Sequence, residues 1–147
     1  MAEKIRGNQT LSGTWGEVWL NGDKILEMSK IEVKVTVNRE DVQLGIDVDS
    51  KMTGLVGEGT LAIKKVYTRA ADIVASYAKG NDVRGQIITK LADPDAVGGQ
   101  VERYSIDNVW FTELMLAQIE KGAIIEEEYP FGFTPSDMVN LDAIKMK

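Results

Sequence analysis

The sequence predicts a mainly β, α+β fold: an antiparallel β-sandwich or half-open barrel with one flanking α-helix. Three observations carry this. The stretch IEVKVTVN alternates Ile31, Val33, Val35 and Val37 with Glu32, Lys34 and Thr36, the period-2 signature of a strand with one buried and one wet face. A single segment, YTRAADIVASYAKG, spaces its apolar residues as a helix does, with Ala70, Ile73, Val74, Tyr77 and Ala78 on one stripe. Turn chemistry then recurs between the remaining runs, at Asn21-Gly22-Asp23, Asp93-Pro94-Asp95 and Lys121-Gly122.

Taken in order, residues 1–10 lack an apolar period and read as an N-terminal arm. Leu11–Leu20 and Lys24–Met28 form a hairpin about Asn21-Gly22, a pair that accepts positive φ at both turn positions. Ile31–Val37 is the cleanest strand, and Asp41–Leu44 continues the sheet. Residues 45–59, punctuated by Gly45, Gly54, Gly57 and Gly59, read as a long loop, with a strand from Leu61 to Val66 behind it. The helix spans 68–79, with Thr68 as N-cap and Gly80 as C-terminal stop. Further strands are expected over Val83–Leu91, Val101–Phe111, Thr112–Glu120 and Ile124–Phe133, followed by a C-terminal tail over 134–147. The whole, 1–147, is most simply one domain.

Composition narrows the chemistry. The chain has no cysteine, hence no disulfide scaffold and no thiolate ligand or nucleophile. It has no histidine, which removes the commonest general base and the commonest transition-metal ligand. An enzyme is therefore not expected, and no cofactor or metal is called for. A net charge of −6 argues against a protein that grips phosphate backbones, which needs clustered Lys and Arg. No run of 18 apolar residues offers a membrane span, and no apolar signal-peptide core follows Met1, so membrane insertion is not expected and the cytoplasm is the expected compartment.

The motifs that resemble sites fail on spacing. TGLVGEGTL matches neither dinucleotide nor P-loop spacing and precedes a strand, not a helix. Asp47, Asp49 and Glu58 occupy positions 1, 3 and 12 of a nominal calcium loop, but Lys51 and Met52 stand where a ligand and the turn glycine belong. Glu126 and Glu128 share a strand face that Glu127 does not, and the trio reads as a charged face rather than a catalytic pair. Trp15, Trp19 and Trp110 leave open a small-molecule or carbohydrate-binding β module as the alternative. Tyr129-Pro130-Phe131 places a proline in a strand, which marks an edge or a bulge and hence a place where another chain can add.

The early hairpin around NGDK, then KMTGLVGEGTLAIKKVYTR, DPDAVGGQVERYSIDNVWF and EKGAIIEEEYPFGF together resemble the phage tail tube proteins of contractile tails, defective prophages and tail-like bacteriocins of Gram-positive bacteria. Tubes of type VI secretion systems are related. The resemblance runs from Gly13 to Phe133 and implies a structural subunit without catalytic residues. It implies hexameric rings that stack into a hollow tube, whose lumen is a β-barrel completed by strands from every subunit. It implies as partners further copies of the chain, a tail sheath, baseplate and tail terminator proteins, and DNA that passes without specific binding. The location implied is a virion or phage-tail-like particle assembled in the bacterial host cytoplasm. Within that frame Asp49, Lys51, Met52, Leu55, Val56, Tyr129 and Phe131 are the expected inter-subunit contacts, and Glu113, Glu126 and Glu128 the expected lumen-facing acids.

Overall fold

The computed structural model describes residues 4–146. Eight strands, β1 (Gly16–Leu20), β2 (Asp23–Lys24), β3 (Met28–Leu44), β4 (Asp47–Lys64), β5 (Gly85–Leu91), β6 (Glu102–Phe111), β7 (Glu126–Phe133) and β8 (Met138–Asp142), accompany one helix, α1 (Ala71–Ala78). All pairings are antiparallel, in the order β2-β1-β5-β6-β7-β4-β3, with β8 also on β6. The sheet folds over itself at β6. A bulge there, with Asn108 at φ +55, bends the strand so that its start pairs β5 and β8 while Trp110 and Phe111 pair β7. Val18, Ile87 and Ile106 from one half meet Leu61, Ile63, Tyr129, Phe131 and Phe133 from the other, all buried. The end strands β2 and β3 do not pair with each other, so the barrel stays half open.

The hairpin at Asn21-Gly22 forms as its sequence requires, with φ +52 and +88. Gly80 closes α1 at φ +86. The helix is shorter than expected. Its N-cap is Ala70, which is buried, and not Thr68. Of the arm expected over 1–10, positions 1–3 lie outside the described residues, and residues 7–9 form a 3-10 turn in which the Arg6 amide donates to Gln9 Oε1. The expected tail contains β8.

Two expectations about strands fail. Residues 112–125 contain no strand: Leu114 and Met115 are adjacent, and both pack against the core, which strand alternation forbids. The larger correction concerns residues 45–59. These are not a loop, because β4 begins at Asp47 and runs for 18 residues beside the 17-residue β3. The only connection is Gly45-Ile46, a two-residue turn with Gly45 at φ +68.

The glycines that look like loop punctuation answer a packing need. Gly57 pairs with Phe133 and Gly59 with Phe131 across β4 and β7. A Cβ on Gly57 would sit 2.6 Å from the Phe133 ring, and one on Gly59 2.5 Å from the Phe131 ring and 2.2 Å from the Glu32 carbonyl. On the opposite face the Trp110 indole covers Gly132, its cross-strand partner, where a Cβ would sit 2.6 Å from the indole nitrogen. Each aromatic ring occupies the space that a side chain on its glycine would need.

A buried ionic cluster fastens the irregular segments to this sheet. Glu127 is 1% exposed; it accepts from Lys65 Nζ at 3.0 Å and from the Tyr129 hydroxyl at 2.7 Å. Of the three acids, Glu126 and Glu128 thus stay on the wet face, whereas Glu127 points inward as an ion-paired carboxylate. Lys65 also holds the 112–125 segment, donating from its amide to Ile125 O and from Nζ to Leu116 O. Nearby, Arg69 donates to both oxygens of Glu27 at 2.6 and 3.0 Å. Burial, and then the hydrogen bond to Glu127, push the Tyr129 phenol well above its ordinary range.

Two measurements check this account. Gly59→Ala should destabilise the subunit by about 3 kcal/mol, the upper end for overpacking, because one clash is with backbone. Gly54→Ala, where a Cβ meets nothing within 4 Å, should change it by less than about 0.5 kcal/mol; denaturant unfolding compares them. Above pH of about 10 the unfolded chain releases the Tyr129 proton while the folded chain keeps it. Stability should then fall with rising pH by up to about 1.4 kcal/mol per unit from this group. Tyr129→Phe should flatten that decline in unfolding midpoints taken from pH 9 to about 11.

Candidate assembly surface

Beyond the Gly57–Phe133 pair, β7 ends and the β3–β4 hairpin continues alone. The nine residues from Thr36 to Leu44 carry it about 30 Å past the body. This arm is a two-stranded ribbon with no third strand on either side.

Its pattern is unlike a solvated hairpin. Val35, Val37 and Leu55 continue the core-facing side past the end of the core, each more than a third exposed. Nearer the tip, Val42 and Leu44 point to one face and Val48 and Met52 to the other, as their pairing with Asp49, Asp47, Gln43 and Arg39 requires. Ile46 at the turn is 99% exposed. Acids surround these residues: Glu40, Asp41, Asp47 and Asp49. Arg39 reaches Ser50 Oγ across the ladder at 3.2 Å, and the Asp49 carboxylate accepts from the Ser50 amide at 2.8 Å.

Five of the expected contact residues, Asp49, Lys51, Met52, Leu55 and Val56, are exposed and lie together on this arm. Tyr129 and Phe131 are not at any surface. They are 4% and 2% exposed in the subunit's own core, because β7 lies between β6 and β4 and is no edge. Pro130 is accommodated there without an edge. Its carbonyl accepts from Thr112 on the β6 side, so its missing N–H also points that way, where the β6 ladder has ended.

Glu126 and Glu128 are exposed on the outer face of β7, whereas Glu113 lies in the irregular segment and not on a strand. That outer face continues over β4 and β3 through Glu58, Lys64, Lys30, Glu32 and Lys34. Lys34 stands 3.8 Å from Glu32 and 3.9 Å from Glu58, and Lys30 stands 3.5 Å from Glu32. Signs alternate across it, so the face is mixed in charge rather than uniformly acidic.

The tryptophans do not assemble into a platform. Trp19 carries the Lys24 ammonium, Trp110 covers Gly132 and carries the Arg84 guanidinium at 4.7 Å, and among the described residues no tryptophan ring stacks on another aromatic. The calcium reading also lapses, since Asp47 and Glu58 are eleven residues apart along one strand, about 36 Å. The residues that sequence reasoning missed, Val42, Leu44, Ile46 and Val48, were signalled by two alternating runs mirrored about Gly45.

Comparison with known proteins bears on this geometry. Residues 3–140 match the family model described as phage tail tube protein. The chain is 26% identical over 137 residues to the phage-like element PBSX protein XkdM of Bacillus subtilis strain 168, covering 91% of this chain and 93% of that one. An uncharacterized protein of the same strain, YqbM, matches at the same identity and coverage. Among solved structures, a chain of the sheath/tube terminator of the extracellular contractile injection system PVC, in its extended state, superposes with a TM-score of 0.68. It is 12% identical, over 84% of this chain and 92% of that one. A chain of the PVC sheath-tube complex gives 0.65 at 9% identity, over 95% and 100%. At such identities these structures show a shared fold. With the family model spanning nearly the whole chain, this chain belongs to the phage tail tube protein family.

Proposed function

We propose that the chain is the tube subunit of a contractile tail or phage-tail-like particle, closing hexameric rings that stack into a hollow tube. The observation that carries this is the bare arm. A two-stranded hairpin is marginal in water on its own. One with apolar side chains on both faces and open edges is an aggregation hazard unless another chain covers it. A second copy is the economical occupant, since a head-to-tail contact that closes makes a ring and a further axial contact makes a filament.

In this reading Asp49, Lys51, Met52, Leu55 and Val56 touch neighbouring subunits, and β3 adds its free edge to a barrel shared between copies. The outer face bearing Glu126 and Glu128 lines the lumen. Its paired, alternating charges leave no basic track for DNA to grip, so DNA or another cargo slides through. A sheath surrounds the tube, and terminator and baseplate proteins meet its ends, as the names of the structural neighbours illustrate for their own particles. Assembly takes place in the bacterial host cytoplasm.

Electron microscopy of the purified chain across a concentration series tests this. Rings or hollow filaments are expected; a particle that stays monomeric at every concentration refutes it. Hydrogen exchange supplies a second check: amides of residues 47–56 should exchange far faster in the monomer than those of Thr60 and Leu61, where β4 is covered by β3 on one side and β7 on the other, and should become protected on assembly.

A further inference from the structure

The β3–β4 ladder is built in two registers. Near the body, Ile31 pairs with Leu61, Val37 with Leu55 and Asn38 with Gly54. Near the tip, Leu44 pairs with Asp47, Val42 with Asp49 and Arg39 with Met52. The two differ by one residue, and Thr53 is the residue left over, a bulge on β4.

Each register has its own cause. The inner one is fixed by Gly57 and Gly59, which must lie beneath Phe133 and Phe131. The outer one is fixed by the turn, where Gly45 at φ +68 takes the first position of a two-residue connection. Removing the bulge by slipping the tip would need a three-residue loop and would turn Val48 and Met52 to the opposite face.

A bulge bends its strand and raises the local twist. This one stands at the root of the arm, beside Gly54, where a side chain would meet open space. No third strand pairs with either side of the ladder there, so the ladder itself sets the ribbon's direction. We infer that the Thr53 bulge aims the arm, setting the angle at which it leaves the subunit and so the geometry in which it meets the next copy. This rests on the arm being the contact between copies, as proposed above.

Deleting Thr53 removes the extra residue and leaves every observed pair on both sides in place. The deletion variant should fold with an unchanged denaturation midpoint but form no tubes, or tubes of altered diameter or axial repeat under the electron microscope. Thr53→Ala, which keeps the bulge, should build tubes like those of the unaltered chain. Unaltered diameter and repeat from the deletion variant overturn the inference. Should that variant not fold, Gly45→Asn with Asp47→Gly provides a second route. It favours a three-residue loop ending on glycine, draws the tip into the inner register, and is held to the same outcomes. Replacing residues 40–51 by Asn-Gly separates the two readings. Normal tubes from that armless chain refute the arm as the contact, whereas its failure beside normal tubes from the deletion variant refutes only the role of the bulge.

Discussion

The fold depends on how β4 meets β7. Phe131 and Phe133 lie across Gly59 and Gly57, and Trp110 lies across Gly132 from the other side. Glycine in a strand gives up side-chain contact and conformational entropy. Here each glycine is the floor on which an aromatic ring rests, which recovers the contact and draws the strands together. Any side chain at Gly59 would lift Phe131 from the place where Phe111 meets it edge-on at 6.5 Å. The same rings close the core against Val18, Ile87 and Ile106, so the two halves of the barrel are joined through these pairs.

The position of the last ring also fixes where the subunit ends and the arm begins. Phe133 is the final residue of β7 and pairs with Gly57. Past it the hairpin has neither a third strand nor a ring to rest on it, although β3 itself runs on for nine more residues to Leu44. The packing that stabilises the body therefore stops short of the ribbon, which in the proposed assembly is covered by a neighbouring copy.

Much of this was legible in the sequence. The strand Ile31–Val37, the turn at Asn21-Gly22, the single helix with Gly80 at its end and the half-open β architecture all follow from periodicity and turn chemistry. What was not legible is contact across the sheet. Gly54, Gly57 and Gly59 read as a loop because glycine breaks local structure, and nothing local to β4 announces that Phe131 and Phe133, over seventy residues away, will cover two of them. Strand alternation sets Glu127 apart from Glu126 and Glu128, but not that it is buried and ion-paired, because its partner, Lys65, is far off in sequence. Tyr129 and Phe131 read as edge residues because Pro130 sits between them, whereas the proline is tolerated where the neighbouring ladder has run out. In each instance a tertiary neighbour distant in sequence overrode what the local pattern suggested.

The placement of charge on the arm bears on which contact it can make. Glu40, Asp41, Asp47 and Asp49 fall within ten residues around the tip, against two bases, Arg39 and Lys51, of which Lys51 pairs with Glu40. Two arms approaching each other tip to tip would bring four carboxylates against four, partly screened over about 8 Å at physiological salt. The symmetric contact, in which an arm meets its own copy, is thereby disfavoured, and with it the uncontrolled pairing that bare hairpins invite. A contact between the arm and a different surface of the next copy suffers no such repulsion. Heterologous contacts of that kind generate rings and filaments, whereas isologous ones stop at a dimer. In the proposed assembly, the acids of the arm would thus favour heterologous growth over pairing of like arms.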